Sequence, residues 1–180
     1  NFELLDLIAS GSFSNVYKVK EKKSGNIFAA KISNKKRDED FIKFKREANF
    51  LSKINHPSIL KFIGIDKILF KSELHSVIIT EFIPNGTLND IFSLENQLQT
   101  DFFLSDTTKL IIIYGIASAM SFLHSKKIVH RDLKPSNVLV DDFLCPKISD
   151  FGLSKEITNK SDYFESKLIG TPLYLPPEAW

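Results

Sequence analysis

The hydrophobic pattern of this 180-residue chain changes near residue 81, and that change limits the folds open to it. Before it, apolar runs of strand length alternate with turn residues, and residues 2–9, 15–20 and 26–32 are predicted strands. A small-residue turn and Lys22-Lys23-Ser24-Gly25 separate them. One helix follows. Phe41, Phe44, Ala48 and Leu51 recur at spacings of three and four behind acidic Asp38-Glu39-Asp40, and Asn55-His56-Pro57 ends the run. Residues 59–65 and 76–80 complete a small antiparallel sheet.

Beyond Glu81 the helical period dominates. Pro84-Asn85-Gly86 is a turn, Leu88, Ile91 and Phe92 mark a short helix, and Ser105 or Asp106 caps a long one running to His124. Short strands are expected at 138–140 and 147–149. The pattern predicts an α+β chain of two lobes: a small antiparallel-sheet lobe with one helix (1–80), a short linker with a cleft near it (81–86), and a helix-rich lobe (87–180).

Composition narrows the function classes. The chain is 43% hydrophobic and 26% charged, as ordinary globular proteins are. A net charge of +2 is too small to favour a nucleic acid partner or an acidic membrane surface. Cys145 is the sole cysteine, which excludes an internal disulfide and suits a small buried filler beside Pro146. The apolar stretch 110–123, broken by Ser118 and Ser121, is short for a bilayer span and reads as a buried core helix. The start, Asn1-Phe2-Glu3, lacks the pattern of a signal peptide, so the cytoplasm is the expected compartment. A start without Met and a stop at Trp180 suggest a piece of something longer.

Chemistry concentrates in His130-Arg131-Asp132-Leu133-Lys134-Pro135-Ser136-Asn137 and in Asp150-Phe151-Gly152. These supply a carboxylate able to take a proton, a cation, and two oxygen donors of the kind magnesium accepts. The two stretches match H-R-D-L-x-x-x-N and D-F-G without a substitution, and the chain thereby resembles the protein kinase catalytic domain. The resemblance covers essentially all of it. It implies ATP and Mg²⁺ as cofactors, protein substrates and phosphoryl transfer.

On that resemblance Asp132 is the catalytic base, or at least the group that orients the substrate hydroxyl. Lys134 neutralises charge on the transferred phosphoryl group, and Asn137 and Asp150 ligate the metal. Ile8-Ala9-Ser10-Gly11-Ser12-Phe13-Ser14-Asn15-Val16 resembles the glycine-rich loop but keeps only Gly11 and Val16 of G-x-G-x-x-G-x-V; Ala9 and Ser14 stand for glycines. Lys31, in Ala29-Ala30-Lys31, matches the phosphate-binding lysine, with Glu47 its anion. Val16, Ala29 and Leu139 would sandwich the adenine, residues 81–83 (Glu81 and Ile83 among them) would bond its edge through the backbone, and Thr80 would be the gatekeeper. Taken singly, a lysine or glutamate is a solvated surface charge more often than a ligand; their order along the chain carries the assignment.

His130 and Phe151 are read as structural, stacked with Leu51 and Phe62. Residues 150–178 match an activation segment with Thr158, Ser161, Tyr163 and Ser166 as phosphorylation candidates and Arg131 as the paired cation. Gly170-Thr171-Pro172-Leu173-Tyr174 resembles the substrate-facing turn of serine/threonine kinases, with Thr171 bonded to Asp132 and Lys134. The stretch Glu81-Phe82-Ile83-Pro84-Asn85-Gly86-Thr87-Leu88 has a tyrosine-kinase-like character, and Pro176-Pro177-Glu178 departs from A-P-E at its first position. The resemblance makes residues 81–86 the hinge of a two-lobed kinase-like fold. Family members continue into further helices, so the helical large lobe (87–180) is expected to be incomplete and the isolated chain unstable or poorly active. Two rivals stand: a pseudokinase or nucleotide-binding scaffold, favoured by the altered loop, and a regulatory fragment that binds a complete kinase. A P-loop nucleotidase is excluded, since G-x-x-x-x-G-K-[ST] is absent.

Overall fold

Alternation along the early strands becomes a sheet with two unlike faces. In the computed structural model, which describes residues 1–11, 14–33, 38–70, 73–97, 104–158 and 169–175, five antiparallel strands lie in the order β1-β2-β3-β5-β4. They are β1 (Phe2–Ser10), β2 (Ser14–Glu21), β3 (Ile27–Ser33), β4 (Phe62–Phe70) and β5 (Glu73–Glu81). Val19, Ala30, Ile32, Val77 and Ile79 form a buried cluster on one face, with Phe2, Leu4, Tyr17 and Phe28 packed against it. The cross-strand register Val16↔Lys31 and Ala29↔Thr80 puts the other parity on the opposite face. Helix α1 (Asp38–Leu51) contributes buried Phe44, Glu47, Ala48 and Leu51.

The chain divides into two compact units, 1–54 with 61–82, and 55–60 with 83–180. Six residues that sequence order sets inside 1–80 therefore belong to the second unit. The reason is local bonding. Ile59 bridges Ile148, Leu60 N–H donates to the Ile148 carbonyl at 2.9 Å, and Ile148 N–H donates back to Ser58 at 2.9 Å. His56 Nδ1 accepts from Ser58 N–H at 3.1 Å, and its Nε2 lies 3.2 Å from Ser118 Oγ. The strand expected from residue 59 accordingly begins at Phe62.

In the second unit, α2 (Leu88–Gln97) starts from a reciprocal cap: Thr87 N–H donates to Asp90 Oδ2 at 2.8 Å, and Asp90 N–H to Thr87 Oγ1 at 3.2 Å. Helix α3 (Asp106–Ser125) is capped by Ser105, whose Oγ accepts from Thr108 N–H at 3.1 Å. Its buried stripe is Ile112, Gly115, Ala119 and Leu123. Short ladders follow: β6 (Ile128–Val129) with β9 (Lys155–Glu156), and β7 (Val138–Val140) with β8 (Pro146–Ile148). A second core gathers Leu88, Ile91, Leu104, Ile112, Val138 and Val140.

The expectation of a buried helix at 110–123 needs correction. At twenty residues α3 is long and apolar enough, by length and composition, to cross a bilayer, and Leu110, Ile111, Ile113 and Tyr114 are exposed on it. One face is core. The other is apolar and exposed among the described residues, a difference that hydropathy, which records composition and not which side of a helix finds a neighbour, does not reveal.

Candidate functional site

In the first unit the sheet face opposite the Val19–Ile79 cluster carries predicted nucleotide-site residues from both the phosphate and the adenine ends. Ala9 pairs with Val16, Val16 with Lys31, and Ala29 with Thr80, so five of them share one surface across four strands. Lys31 Nζ lies 2.5 Å from Glu47 Oε2, and the Glu47 side chain is 6% exposed. A carboxylate so buried requires its cation, and Lys31 is thereby held at the middle of β3. Ile8 is exposed near the end of β1, where Gly11 N–H donates to the Ser14 carbonyl at 3.0 Å. Thr80 is buried. Glu81 Oε1 accepts from Lys61 N–H at 2.8 Å, and Glu81 N–H donates to the Lys61 carbonyl at 3.0 Å, fixing the end of β5.

In the second unit the residues after β6 converge on one carboxylate. Lys134 Nζ sits 2.9 Å from Asp132 Oδ2, and Asn137 Nδ2 donates to the same oxygen at 3.0 Å and to the Asp132 carbonyl at 2.7 Å. Thr171 Oγ1 donates to Asp132 Oδ1 at 2.7 Å and accepts from Lys134 Nζ at 2.7 Å. One hydroxyl therefore joins the cation to the acid. The β7–β8 ladder ties Asn137 to the neighbour of Asp150, since Ser149 N–H donates to the Asn137 carbonyl at 2.9 Å. Leu139 lies on β7, opposite Lys147 and bridged to Thr87, while Ile83 is buried.

Backbone conformation around this group is unusual. Arg131 has φ 67° and Asp150 φ 60°, both in the left-handed region that non-glycine residues rarely occupy. One bend stands next to Asp132 and the other at Asp150 itself, and surrounding bonds hold them. Arg131 Nε donates to the Leu153 carbonyl at 2.6 Å, and Ser154 N–H to the Phe151 carbonyl at 3.0 Å. Gly170, at φ 129°, approaches so closely that an added Cβ would stand 2.5 Å from the Arg131 carbonyl oxygen. The sequence named Gly170 only as part of a turn; its close approach is a tertiary fact with no periodic signature.

His130 is fully buried, edge-on to Phe151 with centroids 4.9 Å apart. Its Nδ1 accepts from Asp132 N–H at 3.3 Å and its Nε2 meets the Ser149 carbonyl at 2.9 Å, which selects the neutral tautomer protonated at Nε2. Burial pushes this imidazole below its ordinary value, against the opposing pull of the Ser149 carbonyl and the Asp150 and Asp132 carboxylates. Of the phosphorylation candidates Thr158 is exposed after β9, whereas Ser161, Tyr163 and Ser166, like Pro176-Pro177-Glu178, lie outside the described residues.

The arrangement also meets a test for magnesium. Both hydrogen bonds of the Asn137 amide nitrogen go to Asp132, which leaves the amide oxygen as the donor to a cation. That amide oxygen and the carboxylate that Asp150 carries are hard oxygen donors of the kind Mg²⁺ accepts.

The sequence model of the protein kinase domain matches residues 2–180. An Aurora kinase of Debaryomyces hansenii is 35% identical over 99% of this chain and 42% of its own length. The serine/threonine-protein kinase RUNKEL of Arabidopsis thaliana is 32% identical over 99% of the chain and 12% of its own length. The dual specificity testis-specific protein kinase 2 of Mus musculus is 32% identical over 96% of the chain and 29% of its own length. The chain thus spans less than half the length of each.

Proposed function

The chain belongs to the protein kinase domain family, and from that premise we propose that it carries the residues for transfer of the γ-phosphoryl group of ATP to serine or threonine hydroxyls of protein substrates. The observation that supports this best is the framing of Asp132: one oxygen faces Thr171, and the other faces Lys134 and Asn137. A carboxylate held on both sides is fixed in direction, which is what orienting an acceptor hydroxyl demands. The acceptor oxygen bonds to the γ-phosphorus as the bond from that phosphorus to the β–γ bridging oxygen breaks. The hydroxyl proton passes to Asp132 and ADP departs. Lys134 offsets negative charge on the moving group, and Lys31, anchored by Glu47, neutralises the phosphates that stay behind.

Asn137 and Asp150 would hold Mg²⁺, which when bound offsets phosphate charge as a Lewis acid. Hydrogen bonds from Lys134 to both Thr171 and Asp132 support a serine/threonine acceptor. The cytoplasm is the proposed compartment.

Transfer of labelled γ-phosphate to a serine/threonine peptide by the full-length protein tests the reading. Asp132→Asn is expected to lower kcat by about 10²–10⁴-fold with little change in nucleotide KM. Asp150→Ala is expected to abolish Mg²⁺-dependent turnover, and equal activity of that variant and the unaltered protein would sink the metal role. The rival reading, nucleotide binding without turnover, has Ala9 and Ser14 at glycine positions as its only support and is opposed by the retained Lys31, Glu47, Asp132, Asn137 and Asp150; saturable ATP binding with no transfer would be its signature.

A further inference from the structure

Ala9 and Ser14 remove backbone freedom from the β1–β2 turn, and a side-chain bond stands beside them. Ser10 and Asn15 are direct cross-strand partners, and Ser10 Oγ donates to Asn15 Oδ1 at 3.0 Å. One residue further into the turn, Gly11 N–H donates to the Ser14 carbonyl at 3.0 Å. Asn15 pairs across to Ile32, a member of the buried cluster, whereas Val16 pairs with Lys31. By strand alternation the Ser10–Asn15 bond therefore lies on the face opposite Ala9, Val16 and Lys31.

We propose that Ser10 and Asn15 form a latch that fixes the base of the phosphate-side turn before nucleotide arrives, as positioning residues that do not touch it. The inference rests on the nucleotide-binding reading above. A glycine-rich turn samples many backbone states and must be ordered on binding. Here alanine and serine narrow those states, and the latch selects among the remainder. A ligand then meets Gly11 and Ser14 already paired, and the ordering cost of binding falls. The bond is exposed, so its effect is modest: loss of one neutral hydrogen bond corresponds to about a two- to tenfold change in an equilibrium.

Two measurements on the full chain test it. Amide hydrogen exchange without nucleotide reads the latch directly: Ser10→Ala is expected to speed exchange at Gly11 by about two- to tenfold, and Ser10→Thr to restore protection. Calorimetric titration with Mg²⁺ and a non-hydrolysable ATP analogue reads the consequence. Ser10→Ala and Asn15→Ala should each weaken binding to a similar degree, and the double variant should be no weaker than either alone. Unchanged exchange together with unchanged affinity in Ser10→Ala, while the unaltered chain binds the analogue, would overturn the latch alone. No binding by the unaltered chain would overturn the nucleotide reading and this inference with it.

Discussion

At the scale of single residues, the site depends on positions whose side chains do no chemistry. Gly170 has φ 129° and faces the Arg131 carbonyl oxygen, which an added Cβ would meet at 2.5 Å. A backbone carbonyl cannot swing aside as a long side chain can, so Gly170→Ala must shift the turn and carry Thr171 away from Asp132 and Lys134. The expected result is a stability loss of about 1–3 kcal/mol, the usual cost of an imposed backbone outlier, with a drop in kcat larger than the change in nucleotide KM. Thr171→Val separates the two causes: it keeps the shape and removes the hydroxyl. Chemical denaturation and steady-state kinetics on both variants check this, and an unaffected kcat in Thr171→Val would show that the hydroxyl does not help to hold Asp132. Motifs that resemble those of protein kinases singled out Lys31, Glu47, Asp132, Lys134 and Asn137, and the structure pairs Lys31 with Glu47 and gathers Lys134 and Asn137 on Asp132. What could not be read was the constraint on Gly170, Arg131 and Asp150, since φ at one residue is set by partners distant along the chain.

Elements were legible where a period or a cap announces them. The helix over Asp106–Ser125 begins where Ser105 caps it, and α1 ends at Leu51 before Asn55-His56-Pro57. The two-residue strands Ile128–Val129 and Lys155–Glu156 were not, because two residues cannot display an alternation. Nor did sequence reveal that residues 55–60 join β8, a pairing made by backbone groups that every residue carries. Gly115 shows how element packing overrides local preference. Alanine there would gain about 1 kcal/mol of helix propensity. Its Cβ, however, would stand 2.5 Å from Pro146 Cγ, 2.8 Å from Cδ and 3.0 Å from Ser58 Oγ. Pro146 is a ring on a strand paired to β7, so the neighbour cannot yield cheaply, and overpacking of this kind costs about 1–3 kcal/mol. Gly115→Ala is therefore expected to lower the thermal midpoint, and a raised midpoint in a melting experiment would show that propensity wins.

At the scale of the whole molecule, stability is coupled to pH through a group that performs no transfer. His130 is sealed among Phe151, the Ser149 carbonyl and the Asp132 N–H, and only its neutral form satisfies both ring nitrogens. Unfolding releases it to water, where it titrates near 6.5. Its folded value lies lower, chiefly through burial. Between the two values the unfolded chain binds more protons than the folded one, so stability rises with pH across that window. Its contribution is complete above about pH 6.5 and is progressively lost as acid is added, levelling off below the folded value. The carboxylates that titrate at still lower pH set the floor of a clean experiment, which fixes the useful range at about pH 5.5–7. Urea midpoints of the unaltered chain should fall across that range as pH is lowered. In His130→Gln, which cannot titrate, the midpoint is expected to start lower and to vary less with pH. Equal slopes for the two proteins would mean that His130 already exchanges protons with solvent in the folded state, and the sealed, neutral imidazole would have to be abandoned.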